Sequence, residues 1–293
     1  MSTTHTTSPP GQRPGQHPSS PAQSGAASVR PGLRTMLNKV PEVTLYFWII
    51  KILCTTVGET AADYLNVNLG FGLTNTTYAV SAILAIALIF QFRLKLYVPT
   101  VYWLAGVLIS VVGTLITDNL VDNFGVALTT STIAFGAALS ATFAAWYASE
   151  RTLSIHTVVT TRREAFYWLT VLFTFALGTA AGDLLAEKVN LGYWKSAVVF
   201  GAAIGLVFFA HRVLKLNAIL AFWLAYILTR PFGASLGDYL SQPHDAGGLA
   251  LGTTGTSVIF LTAISAVVAF LTITKKDRIE GAAAHPEPGA LGR

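Results

Sequence analysis

The sequence predicts an all-α, polytopic membrane protein: eight transmembrane helices forming four parallel two-helix repeats, in two duplicated halves. Three observations predict it. Of 293 residues, 53% are hydrophobic and 11% charged, with a mean hydropathy of +0.56, a composition too apolar for a water-exposed surface. Eight apolar stretches, at about 43–65, 74–92, 98–120, 127–147, 165–185, 194–213, 218–240 and 250–273, approach the roughly 20 residues that a helix needs to cross hydrocarbon. Finally, the skeleton Trp48, Gly58, Asp63, Leu65 recurs at identical spacing as Trp103, Gly113, Asp118, Leu120, then Trp168, Gly178, Asp183, Leu185, then Trp223, Gly233, Asp238, Leu240. An aromatic residue precedes every one of these tryptophans: Phe47, Tyr102, Tyr167, Phe222. Tryptophan occurs only six times in the chain, so four at one offset mark an internal repeat.

The spacing of the copies orders the chain. Asp63 to Asp183 and Asp118 to Asp238 are both 120 residues, and the separations within each pair are both 55, which a duplication of a duplication explains. Residues 37–147 are then the first half and 164–275 the second, with 148–163 as a linker. In that linker Glu150 and His156 are expected to be solvated. Segments 1–36 and 276–293, rich in small and polar residues or lacking an apolar run, are expected to be disordered tails.

Charge sets the expected orientation. Basic residues cluster before the first span (Arg30, Arg34, Lys39) and in every second loop thereafter: Arg93 and Lys95; Arg151, Arg162 and Arg163; Arg212 and Lys215; Lys275, Lys276 and Arg278. The opposite loops hold only Lys188 and Lys195. The positive-inside rule then places both termini in the cytoplasm. A charge of +5 distributed by loop in this way gives no reason to expect a nucleic-acid partner; the expected partner is the lipid bilayer. The lone Cys54 excludes an intramolecular disulfide or a multi-cysteine metal site.

Each repeat runs out through an odd span carrying the motif and back through an even span of Ala, Val, Ile, Thr and Ser. All four units share one orientation, as parallel repeats do, so the four Asp residues must lie at one depth. Trp48, Trp103, Trp168 and Trp223 are expected to form an aromatic belt at the cytoplasmic interface. Gly58, Gly113, Gly178 and Gly233 are expected to permit close packing or a local helix break, with a kink at Arg230-Pro231.

The acids carry the functional expectation, because a carboxylate within a membrane helix is costly. Near a helix C-terminus it also opposes the helix dipole, so capping does not explain it. Four residues before each Asp, on the same helical face, stand Glu59, Thr114, Thr179 and Ala234; one turn further in stand Thr55, Thr56, Ser110 and Arg230. Such an oxygen-rich stripe suits hard cations or protons. Lys51, near the cytoplasmic end, is expected to snorkel, and Arg230 to pair with Glu59 or one of the Asp residues. Crowded carboxylates need not all ionise, which would let a proton be exchanged for a cation.

The repeated Trp, Gly and Asp on the first helix of a two-helix unit, in four tandem copies over about 43–273, resemble a bacterial integral membrane protein family built of such repeats, a repeat of unknown function. The resemblance implies the architecture and no particular substrate.

The residues therefore predict a transporter of an inorganic cation, with a proton as candidate coupling ion. Its binding residues would be Asp63, Asp118, Asp183, Asp238 and Glu59, its pathway residues Thr56, Thr114 and Thr179, and its charge partner Arg230. The four Asp residues are also the candidate metal ligands, the metal being substrate; no cofactor is expected. An enzyme is not expected, since no nucleophile and base pair stands out. Two alternatives are an exporter of small organic cations, favoured by an aromatic-lined cavity, and a non-transporting scaffold in which Asp and Gly only lock helices together.

Overall fold

The computed structural model describes residue 2, residues 38–68 and residues 70–277; the two expected tails, with Arg30, Arg34 and Arg278, lie outside them apart from residue 2 and the first residues of the second. Eight helices in it are long and apolar enough to cross a membrane, and the described residues contain no strand. They are α1 (Leu45–Asp63), α2 (Leu73–Arg93), α3 (Pro99–Asp118), α4 (Leu128–Glu150), α5 (Thr161–Asp183), α6 (Tyr193–Val213), α7 (Ala218–Ser241) and α8 (Gly252–Thr274).

Local signals fix where the odd helices begin. Thr44 Oγ1 accepts from Phe47 N at α1, Thr160 Oγ1 from Arg163 N at α5, and Asn217 Oδ1 from Ile219 N and Leu220 N at α7, each satisfying amides that the first turn leaves free. Pro99 opens α3, where its missing N–H is not needed. At the opposite end α1, α3 and α5 each run on from their Asp into a five-residue π-helical turn, Tyr64–Asn68, Asn119–Asn123 and Leu184–Lys188. The fourth copy lacks this turn, and α7 continues to Ser241.

The odd helices form an inner ring in which α1 packs on α3, α3 on α5, α5 on α7 and α7 back on α1. Between 50 and 61% of each odd span is buried, against 11 to 28% of each even one, so the even helices form the outer layer. Their exposed Ile83, Ile86, Phe90, Val198, Leu206, Phe208, Val258 and Ile259 are the lipid-facing surface that such a position requires.

Each even helix packs chiefly on the motif helix of the next repeat: α2 on α3, α4 on α5, α6 on α7, and α8 back on α1. The covalent repeat is thus offset by one helix from the packed pair, and the last helix completes the first pair. Residues 45–150 and 161–274 each supply half of the ring.

The glycines sit at its joints. A Cβ on Gly58 would lie 1.9 Å from Ser110 Oγ, on Gly113 2.5 Å from Phe175 Cβ, on Gly178 2.3 Å from Arg230 Cγ, and on Gly233 1.9 Å from Thr55 Oγ1. Every partner is the residue three before the glycine of the next copy, so one contact repeats four times and closes on itself. The odd helices are continuous through these glycines and through Pro231, which removes the expected helix break.

The tryptophans are not an interfacial belt. Trp103, Trp168 and Trp223 are buried and Trp48 half-buried. They are held in an aromatic ring in which Phe47 meets Trp103, Tyr102 meets Trp168, Tyr167 meets Trp223 and Phe222 meets Trp48, with centroids 5.4–6.3 Å apart. These are the separations of edge and offset aromatic pairs. The indoles pack against aromatic side chains of neighbouring helices, so they serve as core rather than as anchors.

The linker is packed as well. Glu150 is not merely solvated: its two oxygens bind Arg162 Nε and Arg163 Nε at 2.6 Å each. Ile155 and Val158 are buried, Leu153 O accepts from Trp223 Nε1 at 2.9 Å, and His156 is exposed.

Candidate functional site

Each odd helix presents an inner ridge spaced by four residues, the step that stacks side chains along one helical face. In chain order the ridges read Phe47, Lys51, Thr55, Glu59, Asp63; Tyr102, Gly106, Ser110, Thr114, Asp118; Tyr167, Val171, Phe175, Thr179, Asp183; and Phe222, Tyr226, Arg230, Ala234, Asp238. Stacked around the ring they make five levels. The acids lie farthest from the termini, the Glu/Thr level comes next, then Arg230, then Lys51, then the aromatic ring.

At the level farthest from the termini, Asp63, Asp118, Asp183 and Asp238 line one cavity of about 160 Å³ with Glu59 at its base. No hydrogen bond or ion pair ties any of the four Asp side chains within the described residues. Asp238 is buried, at 8% exposure, and the other three are half-buried. The carboxylate oxygens of Glu59, Asp183 and Asp238 approach within 4.8 Å of one another. Asp122 and Glu187, both exposed, bring the acids lining the cavity to seven among the described residues. They stand four residues after Asp118 and Asp183, as Gln242 does after Asp238. Reading the Asp stripe outward as well as inward would have found them. Asn66 and Tyr193 complete the polar wall.

Directly below, Arg230 closes the axis. It is 0% exposed; its Nη2 donates to Glu59 Oε2 at 2.9 Å, to Thr179 Oγ1 at 2.7 Å and to Thr114 Oγ1, and its Nη1 donates to Thr55 O at 3.0 Å. Of the expected partners it therefore takes Glu59, and it bonds groups from three of the four inner helices, α1, α3 and α5. Thr114 and Thr179 serve as ligands of the guanidinium. Thr56 does not line the cavity: its hydroxyl donates to Ile52 O at 3.2 Å, and the residue packs against Gly233 and Gly237.

Lys51 does not snorkel. It is 3% exposed, with Nζ 3.9 Å from the Phe175 ring centre and 4.1 Å from that of Tyr226, and no acceptor reaches it among the described residues. The aromatic faces offer the ammonium a partner, so its four-carbon stem need not reach for the interface. The Phe175 ring also lies 5.6 Å from Arg230 Cζ, so it separates the two buried cations.

The end that carries the termini is shut. Below Lys51, Tyr102 and Tyr167 share a hydroxyl hydrogen bond. Beneath them Lys39 Nζ binds Glu164 Oε2 at 2.6 Å, Gln91 Nε2 donates to the other oxygen of Glu164 at 3.0 Å, and Tyr97 donates to Asp277 Oδ2 at 2.6 Å. The site is thus an acidic cup open at one end only. Its field concentrates cations, and its floor is a buried ion pair.

A separate crevice of about 610 Å³ runs along the flank between α1, α6, α7 and the linker, walled by Trp48, Phe208 and Phe222. It is off the ring axis, and no acid among the described residues lines it.

Comparisons with curated proteins and with solved structures find no significant match. Four tandem family matches cover residues 46–97, 101–152, 166–216 and 221–277, each taking in one motif helix and the even helix that follows it. On these four copies, the chain belongs to the family of the Repeat of Unknown Function (DUF347).

Proposed function

We propose that the protein is a transporter that moves an inorganic cation along the axis of the helix ring, with protons exchanging on the same carboxylates. The observation that carries this reading is the convergence of the four repeated Asp side chains, unpaired, on one cup above the Arg230–Glu59 pair. An acid kept for helix locking would be spent on a neighbouring donor, since a buried polar group without a partner costs about 1–3 kcal/mol. Four acids without a protein donor among the described residues, facing one open cavity, fit a positively charged visitor. The cup's largely polar, acidic lining suits an inorganic ion better than an organic one, and the larger aromatic crevice has no acid among the described residues to hold an organic cation.

By the positive-inside rule, the end carrying Arg93, Lys95, Arg151, Arg162, Arg163, Arg212, Lys215, Lys275 and Lys276 faces the cytoplasm of a bacterial inner membrane, and the acidic cup faces outward. Transport then requires the Arg230 guanidinium to leave the axis and the aromatic level to part, steps that shift the ring between outward-open and inward-open packings.

The experiment is flux into proteoliposomes of purified protein, with a panel of Na⁺, K⁺, Mg²⁺, Ca²⁺ and Mn²⁺ and an imposed pH gradient. Saturable uptake of at least one cation, with counterflow of protons, is expected. No uptake of any of them in either gradient direction, from protein that remains folded, refutes the reading.

A further inference from the structure

Within the cup, the oxygens are not equivalent. Glu59, Asp183 and Asp238, from α1, α5 and α7, bring carboxylate oxygens within 4.8 Å of one another; Asp63 and Asp118 line the same cavity outside that group. Three oxygens at such mutual distances surround a point about 2.8 Å or less from each, and small closure reaches the roughly 2.3–2.6 Å of Ca²⁺–oxygen bonds. Mg²⁺, at about 2.0–2.1 Å with strict octahedral demands, would need larger movement. The cavity of about 160 Å³ also has room for a few waters, each about 30 Å³, to complete a coordination shell.

Two further observations point to a ligand. Asp238 is 92% buried, lines the cavity and has no hydrogen-bond or ion-pair partner within the described residues. Glu59, a member of the triad, already carries a cation, the Arg230 guanidinium, 2.9 Å from its Oε2. A hydrogen-bonded guanidinium and a metal ion draw on the negative charge of the same carboxylate, and both are positive.

We propose that Glu59, Asp183 and Asp238 form a binding site for one hard divalent cation of Ca²⁺ or Mn²⁺ size, with Arg230 as a tethered competitor that must release Glu59 when the cation enters. This rests on the reading of the cup as a cation site. It adds the charge class of the cation, the three ligands among seven acids, and a reason for the plug. The divalent ion takes over neutralisation of Glu59, and Arg230 loses its one charged partner, keeping only the neutral acceptors Thr55 O and the Thr114 and Thr179 hydroxyls. Three carboxylates whose oxygens lie within 4.8 Å of one another carry more negative charge than a monovalent ion can balance, so a divalent ion is the better occupant.

Equilibrium dialysis of the detergent-purified full chain against radioactive Ca²⁺, in excess Na⁺ and K⁺, tests this. One Ca²⁺ per chain is expected, displaced by Mn²⁺ more readily than by Mg²⁺. Affinity should fall at least tenfold in Glu59→Gln, Asp183→Asn and Asp238→Asn, and rise at least tenfold in Arg230→Gln. Should Arg230→Gln fail to fold, Arg230→Lys, shorter and without the fork, is expected to bind Ca²⁺ several-fold more tightly. No Ca²⁺ bound by the folded wild type overturns the proposal, even if proteoliposomes carry Na⁺ or K⁺. So does weaker binding in both Arg230 variants, which would make the arginine a support of the site. Stoichiometric binding lost in the three acid variants upholds it even if no flux is found, in which case transport alone fails.

Discussion

Gly113→Ala probes the ring joint with numbers. The added Cβ would stand 2.5 Å from Phe175 Cβ, 3.2 Å from Ala176 N and 3.3 Å from Phe175 C. Carbon atoms rest at about 3.5–4.0 Å, so α3 and α5 must open by roughly 1 Å, and no rotamer change relieves a contact with Cβ and backbone. Overpacking of this kind costs about 1–3 kcal/mol. The same opening stretches the bond from Thr117 Oγ1 to Ala176 O, now 3.0 Å, worth about 1 kcal/mol. Alanine's higher helix propensity returns up to about 1 kcal/mol. The net loss is then about 2 kcal/mol, or roughly 4–8 °C in Tm for a chain of this size. Gly255→Ala, in α8 with nothing within 4 Å, is the control and should be neutral or slightly stabilising. Thermal unfolding in detergent reads both. A Gly113→Ala protein that melts at or above the wild type, while Gly255→Ala behaves as stated, would refute the claim that the glycines set the ring's closure.

Three further outcomes follow from the axis. Glu59→Gln or Arg230→Met alone breaks a buried pair and should lower stability by about 3–5 kcal/mol; the double variant Glu59→Leu with Arg230→Met should lose much less than the sum of the singles, as denaturation in a mild detergent series will register. Lys51→Met keeps the stem's packing and removes an ammonium held only by aromatic faces, so its Tm should stay level or rise; a fall of several degrees would mean that the amine has a stronger partner. Trp223→Phe deletes the indole bond to Leu153 O, at a cost of about 1 kcal/mol, and should speed proteolysis within 148–163 relative to the wild type.

The eight spans and the repeat were readable because hydrocarbon thickness and a fixed offset between Trp, Gly and Asp leave little freedom. The common depth of the acids was readable for the same reason, since four parallel copies place one residue type at one level; their convergence on one cup was not, because the sequence does not say which way each helix turns its Asp. What the sequence did not reveal is which helix each even span packs on. A tandem repeat records covalent order, whereas α8 reaching back to α1 is decided by ring closure, which no single copy encodes. The tryptophans and Lys51 were misread for one cause. Both were assigned by their distance from the membrane surface, but the inner ring excludes lipid, so lateral position decides. Thr56 was misassigned by one residue: Thr55 stands on the ridge, and its neighbour faces the α7 joint. Asp122 and Glu187 lie beyond the end of the apolar spans, where a π-helical turn keeps them on the cup.

The most direct measurement of the central claim is cation uptake by Asp63→Asn, Asp118→Asn, Asp183→Asn and Asp238→Asn, each reconstituted at equal density. Asparagine keeps the shape and removes the charge, so folding is preserved while the cup loses one acid at a time. Every variant should carry the transported cation at less than a tenth of the wild-type rate at subsaturating concentration, with Asp183 and Asp238 the most affected. Four folded variants that transport at the wild-type rate would contradict the account.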